Sequence, residues 1–124
     1  IMSQSLKLVK EIGGVSCTYG VSSPKATITQ TGAGTSGVTL TAKSGIIVTT
    51  TVATATLGSF SFIASNANIT PSTIVNTSLQ GYGGTGIPIV SATSVTAGSF
   101  TVVVNNAHPT TALSAGMKIS YDFY

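Results

Sequence analysis

Apolar and polar residues alternate along much of this chain, which is the pattern of β-strands with one buried face. Residues 117–123 show it most clearly, since apolar side chains occupy every second position of the segment MKISYDF. No stretch of about ten residues keeps apolar residues at the i, i+3, i+4 and i+7 positions of an amphipathic helix. The alternation predicts nine strands, over residues 6–12, 26–30, 37–42, 46–51, 59–65, 73–79, 87–94, 99–105 and 117–123.

Short segments rich in Gly, Pro, Ser and Asn separate these predicted strands and have the composition of turns. Many short strands without intervening helices are typical of two packed sheets. The length of 124 residues is enough for one hydrophobic core. The sequence therefore predicts a single all-β domain, an antiparallel, jelly-roll-like β-sandwich with about eight to nine strands.

One strand pattern occurs twice. Residues 54–71, TATLGSFSFIASNANITP, are similar to residues 94–111, SVTAGSFTVVVNNAHPTT, and each copy contains Gly-Ser-Phe, a strand and an Asn-rich turn. Both copies direct a phenylalanine, Phe60 or Phe100, to the same face at the same position of the strand. We interpret the copies as two similar core strands of one sandwich. The residues expected to anchor its core are Phe60, Phe62, Phe100 and Phe123.

Residues 1–24 differ from the rest of the chain, because they contain three of its seven charged side chains and several glycines. They are expected to form either an N-terminal arm that docks on a neighbouring subunit or an ordinary edge strand. The sandwich itself is expected over residues 25–124. The residues expected to make the contacts of the arm are Leu6, Leu8, Val9 and Ile12.

Charged residues make up only 6% of the chain, against about 25% in ordinary globular proteins. The five basic residues are all lysines, and they are scattered along the chain without forming a cluster that could follow a nucleic-acid backbone. Nucleic acid is therefore not an expected partner. A weakly charged surface repels its own copies little, which favours a homo-oligomer.

Residues that perform acid–base or metal chemistry are rare. Glu11 and Asp122 are the only side-chain carboxylates, and His108 is the only histidine. The chain contains no Gly-x-Ser-x-Gly motif and no metal-binding spacing of Cys or His, and Cys17 has no partner for an intrachain disulfide. We therefore expect neither an enzyme nor a bound metal or cofactor.

No apolar stretch is long enough for a membrane-spanning helix, and lysines interrupt the apolar stretch near the start, so neither a membrane contact nor a signal peptide is expected. The most glycine-rich segment, residues 80–86, lacks the Lys-Ser or Lys-Thr pair of a phosphate-binding loop. It predicts a surface loop with an exposed Tyr82. Such a tyrosine offers a stacking face and a hydroxyl group, and Tyr19 is a second candidate contact.

Four segments occur in a collinear order: ITQTGAGTSGVTLTAKSGIIV, SFSFIASNANITPSTIV, GTGIPIVSATSVTAGSFTVVVNN and LSAGMKISYDF. Together they make residues 26–124 resemble a family of small virion proteins of tailed phages. The segments are similar to its opening strands, its middle strand and turn, its Gly-Thr-rich loop with an Ala-Gly-Ser-Phe strand, and its closing strand. Thr41 stands where the family often has Asn.

The resemblance implies a non-enzymatic virion component, either a capsid decoration protein or a fibre-like appendage. Our leading hypothesis is a capsid decoration or cement subunit that is made in the host cytoplasm and lies on the virion surface. We expect a homo-oligomer, with a trimer favoured, that contacts the major capsid protein or another virion protein. Two alternatives stay open. One is a receptor- or carbohydrate-binding fibre module, and the other is a self-polymerising filament subunit whose weakly charged strands pair at their edges.

Overall fold

The computed structural model describes residues 25–51 and 53–124. This part of the chain is all-β, with eight strands in two four-stranded sheets that pack as a β-sandwich, so the predicted fold class is confirmed. No helix that could span a membrane occurs among these residues. The strands are β1 (Ala26–Thr29), β2 (Val38–Thr39), β3 (Ser44–Val48), β4 (Ser59–Ser65), β5 (Val75–Tyr82), β6 (Pro88–Thr96), β7 (Ser99–Asn106) and β8 (Met117–Phe123).

The predicted strand over residues 6–12 and the proposed arm lie outside the described residues, as do its contact residues Leu6, Leu8, Val9 and Ile12. Where strands are described, β4, β7 and β8 match the sequence prediction to within one residue. β5 runs three residues past its predicted end. It does so because a bulge between Leu79 and Gly81 lets it continue to pair with β8.

Sheet A has the strand order β1-β3-β8-β5, and sheet B has the order β2-β4-β7-β6. Most neighbouring strands are antiparallel, but β1 pairs with β3 in parallel and β2 pairs with β4 in parallel. These two pairs depart from the fully antiparallel arrangement that the sequence predicts. The connections account for these directions. The chain changes sheet after β1, after β2 and after β3, so it returns to sheet A as β3 and to sheet B as β4. Each returning strand runs in the same direction as the strand it joins. The jelly-roll connectivity stays a prediction.

The core lies between the sheets and is formed by the alternate residues that point inward. All four predicted anchors are buried, since Phe60 is 9%, Phe62 2%, Phe100 0% and Phe123 3% exposed. Burial of a phenylalanine stabilises a fold by roughly 1.5–3 kcal/mol. The two copies of the repeated pattern are β4 and β7, which lie side by side in sheet B. The repeat therefore builds the centre of the scaffold.

Gln30 directly follows β1 and connects three segments of backbone through its side-chain amide. It is 2% exposed, and its amide nitrogen donates to the carbonyl oxygens of Gly34 at 2.8 Å and Ser36 at 2.7 Å. Its amide oxygen accepts a hydrogen bond from the backbone N–H of Thr50 at 3.2 Å. This one side chain therefore joins the connection between β1 and β2 to the residues that follow β3.

Candidate contact surfaces

Tyr82 is the last residue of β5 and packs, half-buried, against the core. Its hydroxyl group donates to the carbonyl oxygen of Thr85 and accepts from the backbone N–H of Ser114 at 2.9 Å. The N–H of Thr85 also donates to the Ser114 hydroxyl at 2.8 Å. Tyr82 is therefore half-buried and joins two loops through its hydroxyl group, which corrects the expectation of an exposed contact. Tyr19 lies outside the described residues.

His108 shapes the turn after β7. Its Nδ1 atom accepts hydrogen bonds from the backbone N–H groups of Thr110 at 3.1 Å and Thr111 at 3.0 Å. Because Nδ1 is an acceptor, the neutral ring carries its proton on Nε2. Among the described residues, no group of three or more His, Cys, Asp and Glu side chains is placed to hold a metal ion.

Within residues 25–51 and 53–124, charge is confined to one sheet. From Ser44 to Met117 the chain contains no Asp, Glu, Lys or Arg, so all four strands of sheet B are uncharged. The charged residues of the described part are all on or next to strands of sheet A: Lys25, Lys43, Lys118 and Asp122. The two outer faces of the sandwich therefore differ in the partners they can accept.

Among the described residues, no further strand pairs with the edge strands β5 and β6, which contact each other and form an open flank on one side of the sandwich. Apolar side chains are left accessible there, because Leu79 is 36%, Ile87 48% and Ile89 51% exposed. Val90, Ala92 and Val95 of β6 are only partly buried against the core. We call these six residues the β5/β6 flank.

The outer face of sheet B carries hydroxyl and aliphatic side chains. Ile63 on β4 is 52% exposed. In the strand register, Val103 on β7 is the diagonal neighbour of Ile63, and Ile89 on β6 is the diagonal neighbour of Val103. Serine, threonine and asparagine residues occupy the remaining outward positions of these strands. This apolar diagonal leads across the sheet to the β5/β6 flank.

The outer face of sheet A contains a groove of about 390 Å³. Asn76 Nδ2 donates to Asp122 Oδ1 at 2.9 Å, and the hydroxyl oxygens of Ser78 and Ser120 are 2.6 Å apart. Both contacts join β5 to β8 across the sheet. We call this site the polar groove. Ile46 lines it with the polar side chains Lys25, Asn76, Thr77, Ser78, Gln80, Ser120 and Asp122.

A second cavity of about 450 Å³ lies where β5 and β8 meet beyond the bulge. Its walls include Val48, Met117 and the backbone of three glycines. Among the described residues, Lys118 is the only charged side chain that lines it, and Thr49 and Tyr82 add hydroxyl groups.

No known protein family, curated protein or solved structure was found to match this chain. The arguments about its function therefore depend on its own residues. The sequence prediction did not identify the β5/β6 flank or the polar groove. The alternation of residues 117–123 gave the outward position of Asp122, but nothing local indicated that β8 and β5, which carries Asn76, are neighbours.

Proposed function

We propose that this protein is a non-enzymatic virion structural protein, a subunit that decorates or cements a capsid and assembles with copies of itself. The observation that carries the proposal is the β5/β6 flank, an open edge of both sheets with accessible aliphatic side chains and no charge. Soluble sheets usually protect such edges with charged residues, prolines, bulges or a covering segment, and this flank has Pro88 and two irregularities but no charge. An edge without charge favours a protein partner.

The occupant proposed for the flank is the arm of a second copy, residues 1–24. A strand can add to a free sheet edge because its backbone N–H and C=O groups pair with those that the edge leaves open. The predicted strand over residues 6–12 carries Leu6, Leu8, Val9 and Ile12, which match the aliphatic character of Leu79 and Ile89. Burial of each such side chain contributes roughly 1.5–3 kcal/mol.

The proposed oligomer is a trimer on the virion surface. When each subunit gives its arm to the flank of the next, the contact is head-to-tail, and such contacts form a ring when the rotation between subunits closes and an open filament when it does not. The uncharged outer face of sheet B is the proposed contact for the major capsid protein or another virion protein, since its hydroxyl groups bring no unpaired charge into an interface. Nucleic acid and membrane are not proposed partners.

A filament subunit is the second candidate, and the free edges of β5 and β6 are the observation that favours it. Both edges are irregular, however, because β5 has a bulge between Leu79 and Gly81 and the register of β6 shifts between Thr93 and Thr96. Bulges twist an edge and interrupt continuous pairing. These irregularities favour a closed oligomer with short edge contacts over an extended filament.

The test places a charge on the flank. Ile89→Lys should convert the oligomer to a monomer of 12.4 kDa in multi-angle light scattering, because an ammonium group cannot be buried there without a partner. Deletion of residues 2–20 should do the same and leave the circular dichroism spectrum of a folded sandwich. Electron microscopy of the particle should show a regular lattice of projections on the capsid.

Ile63→Lys is the matched control, because Ile63 is 52% and Ile89 51% exposed and both lie on the outer face of sheet B. It should leave the oligomer intact. If Ile89→Lys assembles like the parent protein, the flank is not the interface. If the deletion unfolds the domain, residues 2–20 belong to the core and not to an arm. Thin fibres in the micrographs would favour the filament.

A further inference from the structure

The polar groove crosses sheet A from the start of β1 to β5, a distance of three strand spacings or about 14 Å. Its floor is formed partly by backbone around Gly45 and Tyr121. Its volume of about 390 Å³ is within the range of small-molecule sites, which is roughly 300–1,000 Å³. The groove is open to solvent, so a ligand would contact it along one side only.

The polar side chains of the groove keep unused hydrogen-bonding capacity. Asp122 uses Oδ1 to accept from Asn76, and among the described residues no hydrogen bond reaches its Oδ2 or the Asn76 Oδ1 atom. The Ser78 and Ser120 hydroxyl groups lie in the next row of the same ladder. A carboxylate, an amide and two hydroxyl groups in two adjacent rows present both donors and acceptors to a polyhydroxylated ligand.

An aromatic platform adjoins this polar ladder. Tyr124 is 71% and Ile74 53% exposed, and the two residues are paired by reciprocal backbone hydrogen bonds of 2.8 and 3.0 Å. Tyr124 is two residues beyond Asp122, so it lies on the same face of β8, roughly 7 Å farther along. Tyr124 does not line the groove itself, but its backbone pairing with Ile74 continues the ladder one row beyond the Asn76–Asp122 pair.

We propose that the polar groove, together with Tyr124, binds a neutral carbohydrate of one or two sugar units. A sugar ring has an apolar C–H face, which suits the exposed ring of Tyr124, and hydroxyl groups at its edge, which suit Asp122 and Asn76. Lys25 and Asp122 bring one charge of each sign to the groove, so no net charge selects an ionic ligand. The site therefore differs from the Tyr82 loop that the sequence indicated.

Because the groove is open on one side, each copy should bind weakly, with a dissociation constant on the order of 1 mM. Repetition on a particle compensates for such weakness, since linked sites raise the overall avidity by about 10²–10⁴. The groove and the β5/β6 flank share strand β5 but use different side chains, since the groove takes Asn76, Ser78 and Gln80 and the flank takes Leu79. Sugar binding and assembly can therefore be tested separately.

The experiment is a titration of the ¹⁵N-labelled protein with methyl glycosides of glucose, galactose, mannose and N-acetylglucosamine, followed by NMR. At least one glycoside should shift the amide signals of Asn76, Ser120 and Asp122. Tyr124→Ala and Asp122→Asn should each weaken binding roughly tenfold. Tyr124→Phe should bind like the parent protein, because it keeps the ring and removes only the hydroxyl group.

Ser91→Ala is the off-site control, because Ser91 is exposed on the outer face of sheet B. It should leave the dissociation constant unchanged. Three results would overturn the proposal: no signal shifts with any of the four glycosides, shifts that map outside the groove, or unchanged binding by Tyr124→Ala. The Ile89→Lys protein should bind the sugar as the parent does, so loss of assembly and loss of sugar binding are distinguishable.

Discussion

Asn66 and Asn106 occupy equivalent positions at the ends of two adjacent antiparallel strands. The backbone N–H of Asn66 donates to the carbonyl oxygen of Gly98 at 3.0 Å, and that of Asn106 donates to the carbonyl oxygen of Gly58 at 2.8 Å. Each asparagine is 40 residues from its counterpart, as each glycine is. The repeated sequence thus forms two strands related by a local twofold axis.

The axis passes between Phe62 and Val102, which are also 40 residues apart and directly opposite one another in the β4–β7 register. The turns obey the same symmetry. Asn66 Oδ1 accepts from the N–H two residues later at 2.8 Å, and Asn106 Oδ1 accepts from the N–H of His108 at 3.1 Å. The symmetry ends at the edges, since β2 pairs with β4 in parallel and β6 pairs with β7 antiparallel.

The two asparagines should differ in their effect on stability. Asn106 is 1% exposed, and its amide nitrogen donates to the carbonyls of Thr111 at 2.9 Å and Ala55 at 3.2 Å. Asn66 is half-buried and donates to Leu40 alone at 2.8 Å. Asn106→Ala should lower the free energy of unfolding by about 3 kcal/mol, and Asn66→Ala by about 1 kcal/mol. Urea denaturation measures both, and equal losses would contradict the assignment.

Gly45 allows β1 to approach β3. A Cβ atom at Gly45 would overlap the carbonyl oxygen of Ala26 and lie 3.1 Å from the Tyr121 hydroxyl, whereas one at Gly81 would meet nothing within 4 Å. Gly45→Ala should therefore cost about 1–3 kcal/mol and speed amide exchange in β1. Gly81→Ala, in another strand of the same sheet, should change stability by less than about 0.5 kcal/mol. Unchanged exchange in β1 for Gly45→Ala would contradict this, because it would show that the β1–β3 pairing accommodates the added methyl group.

Thr54 is 5% exposed, and its hydroxyl oxygen has no hydrogen-bond partner among the described residues. Its backbone oxygen still accepts from the N–H of Leu113 at 2.9 Å. Valine has nearly the same shape without the polar atom, so Thr54→Val should raise the free energy of unfolding by up to about 1 kcal/mol. Thermal and urea denaturation would measure the gain. A loss of stability would show that the hydroxyl group has a partner.

Tyr121 should make stability fall at alkaline pH. It is 3% exposed, and its hydroxyl group donates to the carbonyl of Ala42 at 2.9 Å. Burial raises the pKa of Tyr121 above its usual value, so the folded protein retains this proton when the unfolded chain loses it near about pH 10. The stabilisation is complete below that pH and is lost as the pH rises through the folded-state pKa.

The Tyr121→Phe variant should show a smaller decline of unfolding free energy above about pH 10. At neutral pH it should be less stable by about 1 kcal/mol, because the Ala42 carbonyl loses its donor. Denaturation curves across the pH range compare the two proteins. Parallel pH profiles would mean that another group causes the alkaline loss.

The alternation of residues was sufficient to locate β4, β7 and β8 and to identify Phe60, Phe62, Phe100 and Phe123 as buried. Side chains of a strand point to opposite faces in turn, so a short stretch of sequence already carries this information. The same alternation does not predict whether β1 and β2 run parallel or antiparallel to their neighbours. Their parallel pairing depends on how the chain crosses between the sheets, and no local pattern encodes that crossing.

The same distinction applies to the candidate surfaces. The sequence by itself determined an all-β domain with few charges, because composition and alternation are local properties of the chain. Only the tertiary structure decided that Asn76 and Asp122, 46 residues apart, share a hydrogen bond, and that Tyr82 is engaged while Tyr124 is exposed. The exposure of a side chain depends on which strands become neighbours and which become edges, and strand order is set by contacts between residues far apart in sequence.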